Sequence, residues 1–283
     1  MPELPEVETV RRGLNRVSLS LPITGGELLL SRTLAAPDAE ATFWEGLIGG
    51  QLREWHRRGK YLLGELVSPE QQPLGWLVVH LRMTGKLLWV HPDQTLTAHC
   101  RTRFFLGDQH ELRFEDQRTF GRIWWVPPHM TLETVVTGLA RLGPEPFADD
   151  FSLSYLQNAL KNSRRPIKNA LLDQALVAGI GNIYADEALF LSGIRPTVLA
   201  GKLRRQRLQR LHAAIRAVLT KSIESGGTTF SDYRDIYGVN GNYAGVAWVY
   251  GRTGEPCRNC QRPIQRLVLV GRSAHYCPHC QRA

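Results

Sequence analysis

Two pairs of cysteines near the C-terminus constrain this chain more than any other feature. Cys257 and Cys260 form one CxxC pair, Cys277 and Cys280 form the second, and 16 residues separate the two pairs. Each CxxC can direct two thiolates at one metal ion from a tight turn, and two such turns complete the tetrahedron that zinc prefers. Two disulfides or buried thiols are the alternative, which the lack of a secretory signal disfavours. We therefore expect these four thiolates to bind one structural zinc ion.

The segment that holds these cysteines is too small to bury a core of its own. We therefore expect the metal to supply its folding free energy. The segment is also rich in arginine, at Arg252, Arg258, Arg262, Arg266 and Arg272. A zinc module with many arginines is typical of nucleic-acid binding, and a purely structural zinc knob is the alternative. The fifth cysteine, Cys100, stands alone, and we expect it to be a small core residue.

The charge of the chain points to a polyanionic partner. The net charge is +9 and, of 35 basic residues, only six are lysines. Because a guanidinium can contact phosphate through two parallel hydrogen bonds, this composition suits phosphate binding. Hydrophobic residues make up 43% of the chain, enough for a folded core. The longest apolar runs, such as residues 74–81, are too short to span a membrane, so we expect no membrane partner.

Local patterns divide the chain into a β-rich part, a helical part and the cysteine module. A helix is predicted over residues 5–15, with Leu4, Val7, Val10 and Leu14 near one face. Short alternating runs between residues 26 and 127 predict strands of an antiparallel sandwich or barrel. Helices are then predicted over 151–162, 167–175, 182–191 and 200–225, the last ending at Gly226 and Gly227. A loop rich in glycine, asparagine and tyrosine follows at 228–245.

The N-terminus combines an amine with two carboxylates. Met1 precedes Pro2, so removal of Met1 would leave a secondary amine at the start of the chain. An α-amine has a pKa of about 8, well below that of a lysine side chain. A larger fraction of the α-amine than of a lysine is therefore neutral and nucleophilic at pH 7. Such an amine can attack an acetal carbon and form an iminium, with Glu3 and Glu6 as general acid and proton shuttle. An ordinary helix start, with proline and glutamate as its signals, is the alternative.

Several short segments form a specific pattern when they are taken in order. The chain opens with PELPEVETVRRGL and closes with the two CxxC pairs. Between them lie RRGKYLL at 57–63, HLRMTG at 80–85, DQRTFG at 116–121, LGPEP at 142–146, GIGNIYADEALF at 179–190, ESGGTT at 224–229, VYGRTGEPC at 249–257 and GRSAHYCPHC at 271–280. With these segments the chain resembles bacterial formamidopyrimidine-DNA glycosylases over essentially its whole length. The related endonuclease VIII type opens differently after its PE dipeptide.

The resemblance implies a set of catalytic residues. Members of this family remove oxidised purines from DNA and then cleave the strand by successive β- and δ-elimination. Pro2 matches the nucleophile that attacks the sugar C1′, Glu3 the carboxylate that assists ring opening and proton transfer, and Glu6 a supporting carboxylate. Lys60 matches a lysine that reaches the lesion nucleotide, and a solvated lysine is the alternative.

The resemblance also implies residues that enter the duplex. Met83, Arg118 and Phe120 lie at two predicted hairpin turns and match the residues that the family inserts where the damaged base has been extruded. An apolar wedge and a guanidinium can replace the stacking and pairing lost there. Packing in the local core is the alternative for each of them.

Further residues match phosphate contacts of the family. GIGNIYADEALF predicts a helix capped by Asn182, whose first backbone N–H groups can hold a phosphate. It matches the helix–two-turn–helix element, in which Asn182 and Lys168 contact DNA phosphates. Arg272 matches the zinc-hairpin arginine that binds the phosphates flanking the lesion. His99 sits where the family often has a phosphate-contacting histidine.

The chain departs from the family pattern at two places. Many members carry a second basic residue after the wedge arginine, and here that residue is Thr119. One phosphate contact is therefore expected to be weaker. The loop at 228–245 only partly resembles the loop that covers the lesion in the family, which makes lesion preference the least certain property.

We therefore predict an α+β multidomain protein. The predicted domains are an N-terminal catalytic antiparallel β-sandwich with flanking helices (1–130), a helix–two-turn–helix domain with the lesion loop (131–243) and a zinc β-hairpin module (244–283). The expected function is base-excision repair of oxidised purines in damaged double-stranded DNA, with lyase activity through an imine at the N-terminal proline. We expect a monomer in the bacterial cytoplasm, at the nucleoid. The alternatives are an endonuclease VIII-like glycosylase for oxidised pyrimidines and a non-catalytic zinc DNA-binding protein.

Overall fold

A helix at the start of the chain supplies one wall of the first core. In the computed structural model, which describes residues 1–228, 235–239, 241 and 243–283, helix α1 spans Leu4–Val17. Its inner face is buried as predicted, at Leu4, Val7, Val10 and Leu14. The helix therefore begins where the apolar periodicity begins, and Glu3 is its N-cap residue.

Two largely antiparallel sheets follow α1. In chain order their strands are β1 (Ile23–Leu28), β2 (Leu34–Ala36), β3 (Gln51–Arg58), β4 (Tyr61–Val67), β5 (Pro73–His80), β6 (Gly85–Val90), β7 (Cys100–Leu106), β8 (His110–Asp116) and β9 (Arg122–Val126). One sheet has the order β1–β7–β8–β6, and the other has the order β2–β9–β5–β4–β3. The short β2 pairs with β9 in parallel, whereas the longer neighbours pair antiparallel.

The inner faces of the two sheets share one hydrophobic core. Leu62 and Val79 of the five-stranded sheet lie in the same buried cluster as Phe104 and Phe114 of the four-stranded sheet, and Val7 of α1 joins them. Strand β7 alternates strictly between buried and half-buried residues, as a strand with one core-facing side must. The predicted antiparallel sandwich is confirmed.

One helix of this part differs from the prediction. Helix α2 (Glu40–Leu47) lies inside the stretch for which the pattern predicted strands, and it buries Phe43 and Leu47 one turn apart. A run of two turns is too short for hydrophobic periodicity to separate a helix from a strand. The sequence pattern predicts no helix at these residues, although the predicted sandwich includes flanking helices.

The described chain divides into two compact units. The first contains residues 1–140 and 226–241, including the short helix α3 (Leu132–Val135), and the second contains 141–225 and 242–283. The second unit holds α4 (Leu153–Leu160), α5 (Ile167–Leu171), α6 (Asn182–Leu191), α7 (Arg205–Glu224) and the hairpin of β10 (Gln265–Leu269) and β11 (Arg272–Tyr276). The finer division into three domains at residues 130 and 243 stays a prediction.

The helices of the second unit agree with the prediction best where a clear terminator exists. Helix α6 has the predicted bounds, whereas α7 begins later, because Ala200–Lys202 form a separate 3₁₀ turn. Gly226 follows the end of α7 with a φ of +74°, a conformation that glycine adopts without steric cost. Parts of the predicted loop at 228–245 lie outside the described residues. Among the described helices, none combines the length and apolarity needed to cross a bilayer.

A buried ion cluster lies in the four-stranded sheet. Glu111 and Arg113 are each 1% exposed, and Arg113 Nε donates to Glu111 Oε2 at 2.7 Å. Arg103 donates to the same carboxylate from β7, with Nε 3.0 Å from Oε2. Burial opposes ionisation of Glu111, but the hydrogen bonds from Arg103 and Arg113 outweigh it and hold the pKa of Glu111 below its ordinary value.

We expect Glu111→Gln to lower the free energy of unfolding by about 3–5 kcal/mol, because it leaves Arg113 buried without its counter-charge. Urea unfolding at pH 7 measures the loss. Because folding lowers the pKa of Glu111, its contribution is present at neutral pH and disappears as the pH falls through the acid range. The difference between wild type and variant should therefore shrink below about pH 4. Glu27→Gln is the matched control, since Glu27 pairs with Arg103 from a 47% exposed position and should change stability by less than about 1 kcal/mol.

Candidate active site and zinc centre

Two buried carboxylates lie at the start of α1. Glu3 and Glu6 are 2% and 1% exposed. Glu6 Oε2 accepts the backbone N–H of Glu3 at 2.8 Å, and Glu6 Oε1 accepts the backbone N–H of Thr228 at 2.8 Å. Pro2 is buried just ahead of them, whereas Met1 is 47% exposed. The helix start is thus an ordinary capping arrangement that buries two carboxylates shortly after Pro2 in the chain.

Lys60 lies in the two-residue turn between β3 and β4. Gly59, the other turn residue, takes a φ of +55°. Although it lies in a turn, Lys60 is only 7% exposed, so it is not a solvated lysine. Burial lowers the pKa of His80 to about 3, and the charges of Arg82 and Lys60 add to this effect. His80 is therefore neutral at pH 7, and its Nδ1 accepts the backbone N–H of Arg82 at 3.0 Å.

A carboxylate on α1 connects this helix to the Lys60 turn. Glu8 accepts hydrogen bonds from Arg11 at 2.8 Å, from Arg12 at 2.9 Å and from Arg57 at 3.2 Å. Arg57 Nη1 also donates to the carbonyl of Gly59 at 3.0 Å. Burial opposes ionisation of Glu8, but bonds from Arg11 and Arg12 outweigh it, so the pKa of Glu8 is lowered. The sequence analysis missed Glu8 and Arg57, although Arg57 opens the quoted RRGKYLL segment.

The two predicted hairpin turns lie next to each other because β6 pairs with β8. Thr84 Oγ1, one residue after Met83, donates to Asp116 Oδ1. The backbone N–H of Arg118 donates to Thr84 Oγ1 at 3.0 Å, and that of Gly121 donates to Asp116 Oδ2 at 2.7 Å. Asp116 therefore organises both turns. Sequence reasoning missed it, although aspartate at the start of a turn is a known signal.

The side chains on these two turns differ in exposure. Phe120 is 49% exposed, and the Arg118 guanidinium lies over its ring at 5.0 Å from the centroid. Met83 is half-buried. An aromatic ring this exposed contributes little to a core, so local packing does not account for Phe120.

An arginine distant in sequence reaches Thr119. Arg32 donates to Thr119 Oγ1 from the turn before β2. Thr119 takes a φ of +57°, which is unfavourable for a β-branched residue. A cation thus lies beside the position where many family members carry a second basic residue.

His99 lies in the exposed segment before β7. Its ring Nδ1 is 3.5 Å from Arg101 Nη2, and its carbonyl accepts the backbone N–H of Asp116 at 2.9 Å. Arg101 Nε in turn donates to the Asp116 carbonyl at 2.8 Å. The structure therefore brings His99 to the turn that carries Arg118, as a shared phosphate contact would require.

Lys168 is a buried lysine bound by other groups of the protein. Its side chain is completely buried, and Nζ donates to Asp186 Oδ1 at 2.6 Å and to the carbonyl of Ser273. Asp186 Oδ2 accepts the backbone N–H of His275 at 2.9 Å. This position does not fit the predicted phosphate contact. The Lys168–Asp186 pair instead joins α5 and α6 to β11.

Asn182 and Arg272 meet at one end of the zinc hairpin. The N-cap residue of α6 is Gly181, so the prediction that Asn182 caps this helix is wrong. Asn182 is the first helical residue, and its Nδ2 donates to Ser273 Oγ at 3.3 Å. Arg272 is exposed and begins β11 directly after Gly271, which takes a φ of +75° in the hairpin turn. Arg272 is thus exposed, whereas Asn182 is half-buried, and their contact with phosphate stays a prediction.

The four predicted cysteines form one cluster. Their sulfur atoms lie within 4.8 Å of one another, with Cys257 Sγ 3.9 Å from Cys280 Sγ and Cys260 Sγ 3.4 Å from Cys277 Sγ. These distances are too long for disulfides. Four thiolates around a zinc ion at the usual Zn–S length would be about 3.8 Å apart, so the residues fit zinc. The set is all thiolate and closed, which is typical of a structural site.

Glu187 holds the segment that precedes the first CxxC pair. Its carboxylate accepts three backbone N–H groups, from Trp248 at 2.8 Å and from Val249 and Tyr250 at 2.9 Å each. Burial raises the pKa of Glu187, although the three hydrogen bonds oppose the rise. Helix α6 therefore anchors the cysteine module at two successive acidic residues.

The four-thiolate centre defines a protein with a structural zinc site. Family models agree over most of the chain. The N-terminal domain of formamidopyrimidine-DNA glycosylase matches residues 1–123, its H2TH domain matches 142–234, and a zinc finger found in FPG and IleRS matches 254–283. The chain belongs to the formamidopyrimidine-DNA glycosylase family, and it has one structural zinc site.

Individual relatives and structures are similar over nearly their full length. A formamidopyrimidine-DNA glycosylase of Nostoc punctiforme is 59% identical over 281 residues, 99% of this chain and 96% of the relative. A mutant FPG of Lactococcus lactis in complex with Fapy-dG-containing DNA superposes with a TM-score of 0.90 at 33% identity, covering 100% of both chains. MutM in complex with DNA containing carbocyclic 8-oxo-G gives 0.89 at 34%, again covering 100% of both.

We expect Cys257→Ser to lose the zinc ion and, with it, affinity for duplex DNA, because the module depends on the metal for its fold. Zinc content by elemental analysis and DNA binding by fluorescence anisotropy measure the two losses. Far-ultraviolet circular dichroism should keep most of its helical and strand signal. Cys100→Ser is the control, since Cys100 is buried outside the cluster and its variant should keep one zinc ion per chain. Normal DNA binding by zinc-free protein would contradict the link between metal and binding.

Proposed function

We propose that this protein is a bifunctional DNA glycosylase that removes oxidised purines from duplex DNA and then cleaves the strand at the abasic site. The single observation that carries the proposal is the burial of Glu3 and Glu6, which follow Pro2 at the start of α1 and are joined by a hydrogen bond. Besides capping α1, two buried carboxylates close in sequence to a free α-amine can act as a general acid and a proton shuttle. The family membership and the DNA lesions named for the similar structures support the same substrate class.

The proposed reaction begins at the nitrogen of Pro2. Once Met1 is removed, this secondary amine attacks the sugar C1′, the glycosidic bond breaks and the oxidised base leaves with a proton. Loss of the ring oxygen from C1′ then gives an iminium to Pro2, with Glu3 as the carboxylate that assists ring opening. The iminium acidifies the 2′ position, so successive β- and δ-elimination can release the 3′ and 5′ phosphates.

The other site residues are proposed to orient the catalytic groups and to hold the DNA. Glu6 fixes Glu3 through its backbone N–H, and Lys60 is proposed to reach the lesion nucleotide from its turn. Met83, Arg118 and Phe120 are proposed to fill the space left by the extruded base. Asn182, Arg272 and His99 are proposed to contact phosphates, and Lys168 is proposed to hold α5 and α6 on the hairpin that carries Arg272.

The family match favours this proposal over the two alternatives. An endonuclease VIII-like preference for oxidised pyrimidines has no observation in its favour, and a purely DNA-binding protein does not require the N-terminal carboxylates. We propose that the protein acts in the bacterial cytoplasm, at the nucleoid, because its proposed substrate is chromosomal DNA.

Protein that retains Met1 should bind damaged duplex but neither excise the base nor form a covalent adduct. A retained Met1 converts the Pro2 nitrogen into a tertiary amide, whose lone pair is delocalised and unavailable for attack. Mass spectrometry of the N-terminus, beside borohydride trapping on a duplex with one 8-oxoguanine, measures both properties. Glu3→Gln with a free Pro2 is the companion variant, and it should bind but lose excision. Full activity of protein shown to retain Met1 would exclude the N-terminal mechanism.

For Lys60→Ala, single-turnover excision of 8-oxoguanine should fall by about 100-fold or more, the usual weight of a positioned acid or base. Cleavage at a preformed abasic site should fall much less, since no lesion base has to be engaged there. Lys161→Ala removes an equally charged but exposed side chain and should leave both rates unchanged. If Lys60→Ala slowed excision of 8-oxoguanine and cleavage at the abasic site by the same factor, Lys60 would have no role in recognising the damaged base.

A further inference from the structure

A stretch of the helical unit carries positive charge without any acidic residue. Between Glu187 and Glu224 the chain has eight lysines and arginines and no aspartate or glutamate. Five of the eight precede or open α7, at Lys202, Arg204, Arg205, Arg207 and Arg210. They add to the partial positive charge at the helix N-terminus instead of compensating it. The start of α7 is therefore strongly electropositive.

These arginines border an open cleft beside the zinc cluster. Arg207 and Arg210 of α7 line a cavity of about 670 Å³ together with His279 and Arg282. The remaining lining residues are Gly193, Asn259, Cys260, Cys280 and Ala283. We call this cavity and the exposed cations at the start of α7 the α7 basic cleft.

The cations of the α7 basic cleft lack acidic partners. Within the part of the chain that the structure describes, none of them forms an ion pair. Arg205 donates to the Gln157 side-chain oxygen at 3.2 Å, and Arg207 donates to the Arg282 carbonyl at 2.7 Å, so both acceptors are neutral. Burial and the charge of Arg210 lower the pKa of Arg207. By contrast, Glu8 alone binds three arginines of the first unit.

The α7 basic cleft lies at the far end of the hairpin from Arg272. Strand β11 runs from Arg272 to Tyr276, the residue before Cys277 of the zinc cluster. Its five residues span about 17 Å, which separates Arg272 from the cysteines. Helix α6 gives an independent measure, because Asn182 bonds to Ser273 at its start and Gly193 lines the cleft just beyond its end. Its ten residues span about 15 Å. The cleft is thus a surface distinct from the proposed Asn182–Arg272 phosphate contact.

The side chains that line the α7 basic cleft indicate which kind of partner it binds. Guanidinium groups match phosphate oxygens through paired hydrogen bonds. The lining contains no phenylalanine, tyrosine or tryptophan and no large apolar anchor of the kind that dominates protein interfaces, and its one ring is the imidazole of His279. We propose that the α7 basic cleft is a second contact for the DNA phosphate backbone, independent of sequence. This contact goes beyond the proposed catalytic function and does not depend on it, because it concerns binding to undamaged DNA.

The test uses the full-length, zinc-loaded protein with Arg210→Gln and Arg282→Gln combined. Affinity is measured against salt for undamaged duplexes of about 15 and about 60 base pairs, where each phosphate contact contributes about −0.9 to the slope of log K against log salt. On the longer duplex, the variant should have a slope shallower by about 1–2 than wild type. The control combines Arg16→Gln and Arg141→Gln, which removes the same charge from exposed arginines outside the cleft and should keep the wild-type slope.

A second measurement separates the two possible sources of the phosphates. Labelled short duplex is allowed to dissociate while unlabelled duplex is added in increasing amounts. If the cleft takes a separate DNA molecule, added DNA accelerates dissociation from wild type but not from the variant. If it takes the flank of the same molecule, only the slope on the longer duplex changes. Either result supports the proposal.

The proposal is overturned if the cleft variant and the control behave alike in both measurements, which would leave the cleft to another partner such as an acidic protein. Zinc content and thermal stability are checked first, because Arg282 lies close to the cysteines. Should the first variant lose zinc, Lys202→Gln combined with Arg204→Gln tests the same surface from exposed positions at the start of α7.

Discussion

The carboxylate of Glu6 is the interaction on which the proposed catalytic end of the molecule depends. One oxygen holds the backbone of Glu3, and the other holds the backbone of Thr228, more than 200 residues later in the chain. A buried carboxylate requires such partners, because the desolvated charge is otherwise very costly. Gly227 makes the approach possible, since a Cβ there would lie 3.2 Å from Glu6 Oε1 and the residue takes a φ of +81°. Of the two adjacent glycines, one therefore ends α7 and the other lets the chain reach Glu6.

The arginines of this protein fall into two groups, those paired with carboxylates of the protein and those exposed to solvent. The amino-acid composition does not distinguish these groups. Arg57 and Arg113 are bound by Glu8 and Glu111 and belong to the architecture of the first unit. Arg118 and Arg272 are exposed and without carboxylate partners among the described residues, which leaves them available to phosphates. The net charge of +9 indicated the class of partner. Only the three-dimensional pairing indicates which guanidinium groups face it.

Sequence reasoning succeeded where the information is local. Helix α6 has the predicted bounds, the apolar face of α1 is buried as predicted, and the cysteine spacing identified the zinc site. It failed where the deciding contact is distant in sequence. Nothing near Lys168 reveals that Asp186 and Ser273 enclose its ammonium, and nothing near Thr119 reveals Arg32. Helix α2 was missed for a different reason, since two turns carry too little periodicity.

The attachment of the zinc hairpin to α6 has a consequence for how this family can change over time. Asp186 and Lys168 bind the N–H of His275 and the carbonyl of Ser273, and Glu187 binds three consecutive backbone N–H groups. Backbone groups are the same whatever side chain they carry. Substitutions at Trp248, Val249 and Tyr250 can therefore leave their hydrogen bonds to Glu187 intact, whereas Glu187 itself has no such freedom. Evolutionary drift should concentrate on one partner of this contact and spare the other.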